Sequence, residues 1–465
     1  MRRLLILFGA ALVLGTMTAC DTFVGNVEGP KDSAPSEQLN TPQDVRFLAT
    51  GVQTQGANAT GFLTRTAALQ SDQFRFGLNS DATFPTFAEP DRGVPSLSNT
   101  SVGDAERALG EYRRLADDLL AAADRPAEYP ADGPITEQRA RYIGQLHGAI
   151  ARYYYATYMG RNPREGGGVI GEGAFIPAPA MYDSARVKFN AALDLAPTAA
   201  EEKIVRSLHA RSALYAGTQY GANTSGYSDA LQRAADLASG GLVPGDGGFN
   251  AQYSVQSFNL WWDQAGPGRF QFVAMDDQLD GLVQGSHKDL STIRSFKDVL
   301  ANNSQEANRI PVDTISLDGG TELGQVKYPT RSSPTPYITW EEMHLIRAEL
   351  ELRGYDASTQ TPLALVNKVR ADGTLPGTGV FPSGASGSDV VVDFDQEFNL
   401  SALTSVDLAQ VAEERDRTLF AQGQRLPDQR RLAAVDWHLV ESFQGQTTWQ
   451  FLPIGSQERD NNPDF

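Results

Sequence analysis

The chain has 465 residues, with 39 Lys and Arg against 57 Asp and Glu, which gives a formal net charge of −18 at pH 7. A composition of 41% hydrophobic and 21% charged residues excludes a disordered chain and a polytopic membrane protein. The acidic balance argues against a nucleic-acid binder, because phosphates attract basic proteins. Cys20 is the only cysteine, so an intramolecular disulfide, a cysteine-based zinc site and an iron–sulfur cluster are excluded.

Residues 1–19 have the organisation of a signal peptide. Two arginines precede an apolar run over 4–14 and a step of small residues before Cys20. The apolar run is shorter than the roughly 20 residues of a membrane-spanning helix. Small residues that end in cysteine resemble a bacterial lipobox, in which Cys20 becomes the mature amino terminus and carries membrane-anchoring acyl chains; the alternative is an ordinary secretory peptide. Residues 20–41 are predicted to form a flexible tether.

Apolar residues at helical spacing predict a series of amphipathic helices in the first half of the chain. A helix is predicted over 42–69, with Thr41 as its cap and a proline in its first turn. A polar and aromatic loop is predicted over 71–100. Two long helices follow over 104–123 and 137–159, and we expect them to pack as an antiparallel pair.

Segments 182–197 and 227–240 form a weak internal repeat. The first segment has the spacing of the second helix of a tetratricopeptide unit, at Ala185, Phe189, Ala192 and Pro197. We expect Phe189 to fill the space between neighbouring units. Segments 201–218 and 340–353 are predicted first helices of similar pairs. The sequence therefore predicts a mostly α protein with a tetratricopeptide-like helical-repeat core and long insertions.

Helical periodicity is lost over 241–336, where Gly, Pro, Asn and Asp recur between aromatic clusters. A long irregular span with many aromatic residues inside a helical protein is typical of a binding region. A second insertion, over 373–405, contains a candidate strand at 390–392, and a helix is predicted over 405–422. The predicted organisation is a helical region over 42–240, a loop-rich aromatic insertion over 241–336 and a carboxyl-terminal region over 337–465.

Four motifs follow one another in the carboxyl-terminal third. They are an Ala-Glu pair in a helix, an Asn-x-Val-Arg helix end, a Glu-Arg pair before a Gly-x-Arg-x-x-Asp-x-Arg-Arg run, and a closing Pro-Ile-x-x-x-Glu with a later Asn-Pro. Their residues are Ala348 and Glu349; Asn367, Val369 and Arg370; Glu414, Arg415, Gly423, Arg425, Asp428, Arg430 and Arg431; and Pro453, Ile454, Glu458, Asn462 and Pro463. In this order, after a lipobox and tetratricopeptide-like helices, they resemble the SusD/RagB family of outer-membrane nutrient-binding lipoproteins. Leu426 and Pro427 stand where the family usually has an aromatic residue, which indicates a divergent member.

The resemblance implies a SusD-like α-α superhelix and a role without catalysis, cofactor or metal. Such proteins lie as a lid over a SusC-like TonB-dependent transporter on the extracellular side of the outer membrane. They capture a nutrient and deliver it to the transporter; here we expect an oligosaccharide, with a peptide as the alternative. A surface glycoside hydrolase and a tetratricopeptide-type structural adaptor remain alternatives of other classes.

Candidate ligand residues come from the composition of the two predicted loops. Aromatic rings can stack on sugar rings, while Asp, Asn and Arg bind hydroxyl groups. The candidates are Phe76, Asn79, Asp81, Phe84, Trp261, Trp262, Asp263 and Arg269. Alternatively, Trp261 and Trp262 fill the core or face the transporter.

The charged motif residues Glu414, Arg415, Arg425, Asp428 and Arg430 are interpreted as an ion-pair network that docks the last helices, in preference to a ligand site.

Three other patterns do not indicate a functional site. The glycine run over 166–171 satisfies Gly-x-Gly-x-x-Gly but follows a predicted helix, whereas a nucleotide fingerprint follows a strand. Asp276, Asp277 and Asp280 lack the spacing of a calcium loop, and the five histidines show no zinc motif.

Overall fold

The computed structural model describes residues 39–77, 85–171, 173–221, 229–275, 296–317, 320–375, 378–381, 390–393, 397–432, 442–443 and 445–465. Cys20, the predicted signal peptide and most of the predicted tether lie outside the described residues and stay predictions.

The first helix, α1, extends over Pro42–Gln70 and begins with a capping box. The Thr41 hydroxyl accepts a hydrogen bond from the Asp44 N–H (3.2 Å), and the Asp44 carboxylate accepts one from the Thr41 N–H (3.0 Å). The predicted cap is therefore correct. Further α-helices of the described residues are α2 (Pro85–Asp91), α3 (Thr100–Ala123), α4 (Glu137–Tyr158), α5 (Ala178–Leu195), α6 (Ala199–Tyr220), α7 (Ala230–Ser239), α8 (Phe296–Asn302), α9 (Trp340–Leu352), α10 (Pro362–Asp372), α11 (Leu408–Thr418), α12 (Arg425–Arg431) and α13 (Ser456–Asn461).

These helices pack in chain order as a superhelix. Helix α1 packs on α3, and α3 to α6 each pack on the next helix; α9 continues the row against α7, α10 and α11. Phe189 of α5 is fully buried and stacks on His209 of α6 with ring centroids 5.3 Å apart, which is the position between neighbouring units that the sequence predicted. The predicted fold class, mostly α with a tetratricopeptide-like core, is confirmed.

Short β-strands lie in the segments between the helices. They are β1 (Phe74–Phe76), β2 (Met159–Asn162), β3 (Glu165–Gly168), β4 (Ile176–Pro177), β5 (Phe249–Ala251), β6 (Phe272–Ala274), β7 (Val312–Leu317), β8 (Gly320–Gln325), β9 (Thr335–Ile338), β10 (Thr378–Phe381), β11 (Val390–Asp393), β12 (Ser442–Phe443), β13 (Gln446–Thr447) and β14 (Leu452–Pro453). The pairs β1–β6, β5–β9, β7–β8, β10–β11 and β12–β13 are antiparallel, and a four-stranded sheet has the order β14-β2-β3-β4. The strand candidate at 390–392 lies in β11.

Three predicted segments differ from the structure. Helix α3 begins at Thr100 and not at 104, because the Asn99 side chain caps it by accepting from the Val102 N–H (3.1 Å). The predicted loop over 71–100 contains β1 and α2. The helix predicted over 405–422 ends at Thr418, before a turn in which Ala421 has φ 56°, a value that an α-helix cannot accommodate.

The first three residues of the glycine run, 166–168, lie in strand β3. An added Cβ at Gly166 would lie 2.4 Å from the Phe451 ring, and one at Gly168 would lie 2.2 Å from the Tyr155 ring. These glycines therefore let two aromatic side chains approach strand β3 closely.

Charged motif residues make buried ion pairs. Glu414 is fully buried between Arg309 and Arg370, each with an N–O distance of 2.6 Å. Arg415 pairs with Asp428 at 2.8 Å, which joins α11 to α12.

Two further motif residues connect this region to neighbouring elements. Arg425 binds Asp72 at the end of α1 with an N–O distance of 2.7 Å. Arg430 donates to the carbonyls of Gln450 (2.5 Å) and Thr157, and its guanidinium lies 4.2 Å from the Phe451 ring centroid. Arg430 thus binds backbone carbonyls, whereas the sequence pattern predicted it as a member of the ion-pair network.

A second, smaller hydrophobic core lies at the carboxyl end of α1. It joins the end of this helix to β1, β6, the turn at 420–421 and a π-helical segment, Trp261–Ala265. The aromatic insertion is therefore anchored on α1, and the hairpin β7–β8 lies inside the span that was predicted to be loop-rich.

Candidate functional site

The two loops that supplied the candidate ligand residues meet in the structure. Phe76 on β1 pairs with Phe272 on β6, and the Gly77 N–H donates to the Gln271 carbonyl (2.7 Å). Strand β6 closely follows the π-helical segment that carries the predicted tryptophans. Asn79, Asp81 and Phe84 lie outside the described residues.

Trp261 lies in the second core. Its side chain has no exposed surface, its indole N–H donates to the Thr64 hydroxyl (3.0 Å), and its ring centroid lies 5.2 Å from that of Phe74. Phe76 is 5% exposed and packs against the Phe87 ring at 5.6 Å. Both residues were predicted ligand contacts, and their burial shows that this prediction is wrong. Trp261 instead lies in the core, as the alternative interpretation predicted.

Trp262 is partly exposed and packs against the edge of the second core, next to the fully buried Trp261. The Phe258 ring meets it edge-on at 6.5 Å, and the Arg331 guanidinium lies 4.9 Å from its ring centroid. Next to them, the Asp263 carboxylate accepts hydrogen bonds from the Arg269 guanidinium, the longer of them 3.2 Å. These five residues, Phe258, Trp262, Asp263, Arg269 and Arg331, are called the candidate ligand surface below.

Asn259 positions the two sides of this surface. Its side-chain NH2 group donates to the Ser333 carbonyl (2.7 Å), and its side-chain oxygen accepts from the Trp261 backbone N–H (2.7 Å). The backbone N–H of Asn259 donates to the Arg331 carbonyl (2.8 Å). Asn259 is fully buried, so it fixes the Arg331 turn against the π-helical segment. Sequence reasoning missed both Asn259 and Arg331, since a single Asn or Arg in a loop has no distinguishing pattern.

Arg65 supports the surface from below. This α1 residue is 1% exposed, donates to the Gln264 side chain, and lies 5.6 Å from the Phe272 ring centroid. Burial lowers the pKa of Arg65 to about 10, so the guanidinium stays charged at neutral pH. It ties the π-helical segment to α1.

The turn that carries Arg269 has a strained backbone. Phe270 has φ 48°, and a Cβ at Gly268 would lie 2.8 Å from the Asp263 backbone. The chain thus folds tightly back on the π-helical segment, which lets Arg269 reach Asp263. Non-glycine residues in the left-handed region are frequent at binding sites, because the surrounding structure must hold them there.

This arrangement combines an accessible aromatic ring with charged groups that bind hydroxyls. Trp262 and Phe258 supply apolar surface, two guanidinium groups donate hydrogen bonds, and one carboxylate accepts them. Such a mixture fits a neutral, hydroxyl-rich ligand.

Among the described residues, no group of three or more His, Cys, Asp or Glu side chains could hold a metal ion. The aspartates 276, 277 and 280 lie outside them. No described helix is long and apolar enough to cross a bilayer.

Comparison with known proteins gives a structural match. No family model and no curated protein matches the sequence. A SusD superfamily protein from Bacteroides vulgatus matches with a TM-score of 0.61 and 14% identity over 92% of this chain and 98% of that chain. NanU from B. fragilis matches with a TM-score of 0.59 and 14% identity over 94% and 98%. The surface glycan-binding protein A from Bacteroides thetaiotaomicron gives 0.58 and 12% identity over 92% and 98%. The chain therefore has the SusD-like fold that its motifs predicted.

Proposed function

We propose that this protein is a non-catalytic lipoprotein of the cell surface that binds an oligosaccharide and delivers it to a SusC-like TonB-dependent outer-membrane transporter. The observation that carries the proposal is the candidate ligand surface, because it presents an aromatic ring beside paired charges on a fold shared with a surface glycan-binding protein.

Each residue of the surface has a role in this proposal. Trp262 and Phe258 contact the apolar face of a sugar ring, while Arg269, Arg331 and Asp263 bind hydroxyl groups around it. The Asp263–Arg269 pair keeps both groups oriented before the ligand arrives, which lowers the entropic cost of binding. Asn79, Asp81 and Phe84 remain predicted ligand contacts.

Membrane attachment is proposed through acyl chains on Cys20. The net charge of −18 gives no attraction to anionic lipid, so the acyl chains must hold the protein at the outer membrane. The transporter partner and the extracellular orientation are supported by the sequence resemblance.

A peptide is the alternative ligand. The guanidinium groups of Arg269 and Arg331 could bind a peptide carboxylate, and Trp262 an apolar side chain. A hydrolase would need a second carboxylate beside Asp263, and an adaptor would use the helical surface without a small ligand.

A thermal-shift screen against oligosaccharides and oligopeptides, with product analysis of every hit, tests the proposal. A ligand that binds the native state raises its melting temperature. We expect an oligosaccharide to raise the melting temperature and to be recovered intact. Cleaved product would favour a hydrolase, a response to peptides alone would favour peptide capture, and no response in either library would favour an adaptor.

A further inference from the structure

We infer that a pocket between α7, α9 and α10 binds the oxyanion group, carboxylate or phosphate, of a small molecule. The pocket has a volume of about 510 Å³, and its wall includes Ser239, His344, Arg347, Ser358, Thr359 and Lys368. None of these residues belongs to the candidate ligand surface, so the inference stands apart from the proposed function.

Arg347 provides the main argument. It is 4% exposed, its Nε donates to the Ala238 carbonyl (2.9 Å), and one terminal nitrogen lies 3.2 Å from Nδ1 of His344. Within the described ranges, its Nη2 has no hydrogen-bond partner. The two groups that it contacts are neutral acceptors, so a buried positive charge lacks a matching carboxylate.

Two other buried arginines contact carboxylates directly. Arg431 contacts the carboxylates of Glu349 and Asp428, each at 2.7 Å, and Arg309 contacts those of Glu306 and Glu414, each at 2.6 Å. A buried charge without a counter-charge in contact is unfavourable, so an anion that enters the pocket would stabilise Arg347.

Asp246 is the neighbouring carboxylate whose charge attracts Arg347, and Lys203 shares that carboxylate. Burial lowers the pKa of His344 to about 4, so its ring is neutral at pH 7. Asp246 is bound by Lys203 at 2.9 Å. Lys368 adds a second cation in the pocket wall, where it pairs with Asp372 one helical turn away. Asp356 is the carboxylate of the wall itself, and it is exposed.

The Ser358 hydroxyl adds a donor to the pocket wall. The Ser358 hydroxyl oxygen accepts from the Gln360 N–H (3.0 Å), which leaves its own O–H free to donate. A guanidinium, an ammonium and hydroxyl donors are the groups that bind carboxylate and phosphate oxygens. The volume suits an anion carried on a sugar-sized molecule.

The test uses the full chain in detergent, with inorganic phosphate, sodium glucuronate and glucose as probes at constant ionic strength. We expect a saturable rise in melting temperature with phosphate or glucuronate, and none with glucose. A stronger response to glucuronate would identify a carboxylate ligand, and a stronger response to phosphate a phosphorylated one. A response to neither anion beyond that to chloride would overturn the inference.

Variants then locate the site by calorimetry. Arg347→Gln should weaken anion binding by about tenfold or more, because a charge-assisted hydrogen bond is lost. Lys368→Gln should weaken anion binding about two- to fivefold, and Asp356→Asn should strengthen it by a similar factor. Both effects are modest because solvent screens the charges of these two side chains. Arg46→Gln, at an exposed α1 position, is the matched control and should leave binding unchanged.

The two milder variants keep the test decisive if Arg347→Gln does not fold. Opposite shifts for Lys368→Gln and Asp356→Asn support the pocket. Wild-type anion affinity in both variants would overturn the assignment, whatever the behaviour of Arg347→Gln.

Discussion

Glu106 is a partly buried carboxylate whose ionisation affects stability near neutral pH. This α3 residue accepts a hydrogen bond from the Gly455 N–H (2.7 Å), and burial raises its pKa from the ordinary 4.5 to about 7. The unfolded chain releases this proton near pH 4.5 and the folded protein near pH 7. The free energy of unfolding therefore falls as the pH rises between these values.

Glu106→Gln should remove this pH dependence, because glutamine stays neutral and still accepts from Gly455. Between pH 5 and pH 8, the variant should gain about 1–3 kcal/mol over the wild type in urea unfolding. Glu111→Gln, on the same helix, is the matched control and should follow the wild type. Parallel pH profiles for Glu106→Gln and the wild type would show that Glu106 has no such role.

Glu414 differs from Glu106, because its buried carboxylate lies between two positively charged side chains. Glu414→Gln leaves Arg309 and Arg370 short of a counter-charge and should lower the free energy of unfolding by about 3–5 kcal/mol. Asp118→Asn breaks an exposed pair with Arg114 and should change it by less than about 1 kcal/mol. Chemical denaturation measures both; equal effects of the two substitutions would contradict the buried-network account.

At the scale of elements, two buried histidines differ in their partners. His209 stacks on Phe189 at the α5–α6 contact, and neither ring nitrogen has a hydrogen-bond partner among the described residues. His147 instead lies 2.7 Å from the Tyr112 hydroxyl. Burial lowers the pKa of each to about 3, so stability is lost as the pH falls from 6.5 toward 3, where the unfolded chain binds protons and the folded protein does not.

His209→Phe should therefore stabilise the protein, since it keeps the ring stacking and removes two unpaired nitrogens. We expect a gain of about 1–3 kcal/mol at pH 8 and a larger gain at pH 5. His147→Phe should lower stability at pH 8, because it removes the hydrogen bond between His147 and the Tyr112 hydroxyl. Thermal melts at both pH values separate the two; a destabilised His209→Phe protein at pH 5 would contradict the packing described for α5 and α6.

Helices with a strong pattern were predictable from the sequence, and elements fixed by tertiary contacts were not. The capping residue Thr41 and the spacing around Phe189 are local signals, and both correspond to the structure. The hairpin β7–β8 was not predicted, because turn-forming residues obscured its strand pattern. The start of α3 at Thr100 was not predicted either, because the Asn99 cap extends the helix beyond its apolar pattern.

The candidate site was predictable only in part, because it too depends on tertiary contacts. Composition identified Trp261 and Trp262 as a pair, but only packing against Thr64 and Phe74 decides that the first faces the core. Arg331 reaches Trp262 through the buried Asn259, a contact between segments about 70 residues apart in the sequence, and such contacts leave no pattern in a single sequence.

Membrane attachment should depend on one residue, because we propose acyl chains on Cys20 as the anchor. Cys20→Ser should move the protein from the membrane fraction to the soluble fraction in a cell fractionation, because the acylated thiol is lost. Retention of the variant in membranes would contradict lipid anchoring through this residue, while Ser36→Ala, in the predicted tether, is the control and should stay membrane-bound.

Isothermal titration calorimetry with the oligosaccharide found by screening tests whether Trp262 and its neighbours bind this ligand. We expect Trp262→Ala to raise Kd by about tenfold or more, because the stacking surface is removed. Phe47→Ala removes an aromatic side chain that is 65% exposed, near the start of α1 and far along the helix from Arg65, and should leave Kd unchanged. Wild-type affinity in Trp262→Ala, with correct folding, would contradict the account.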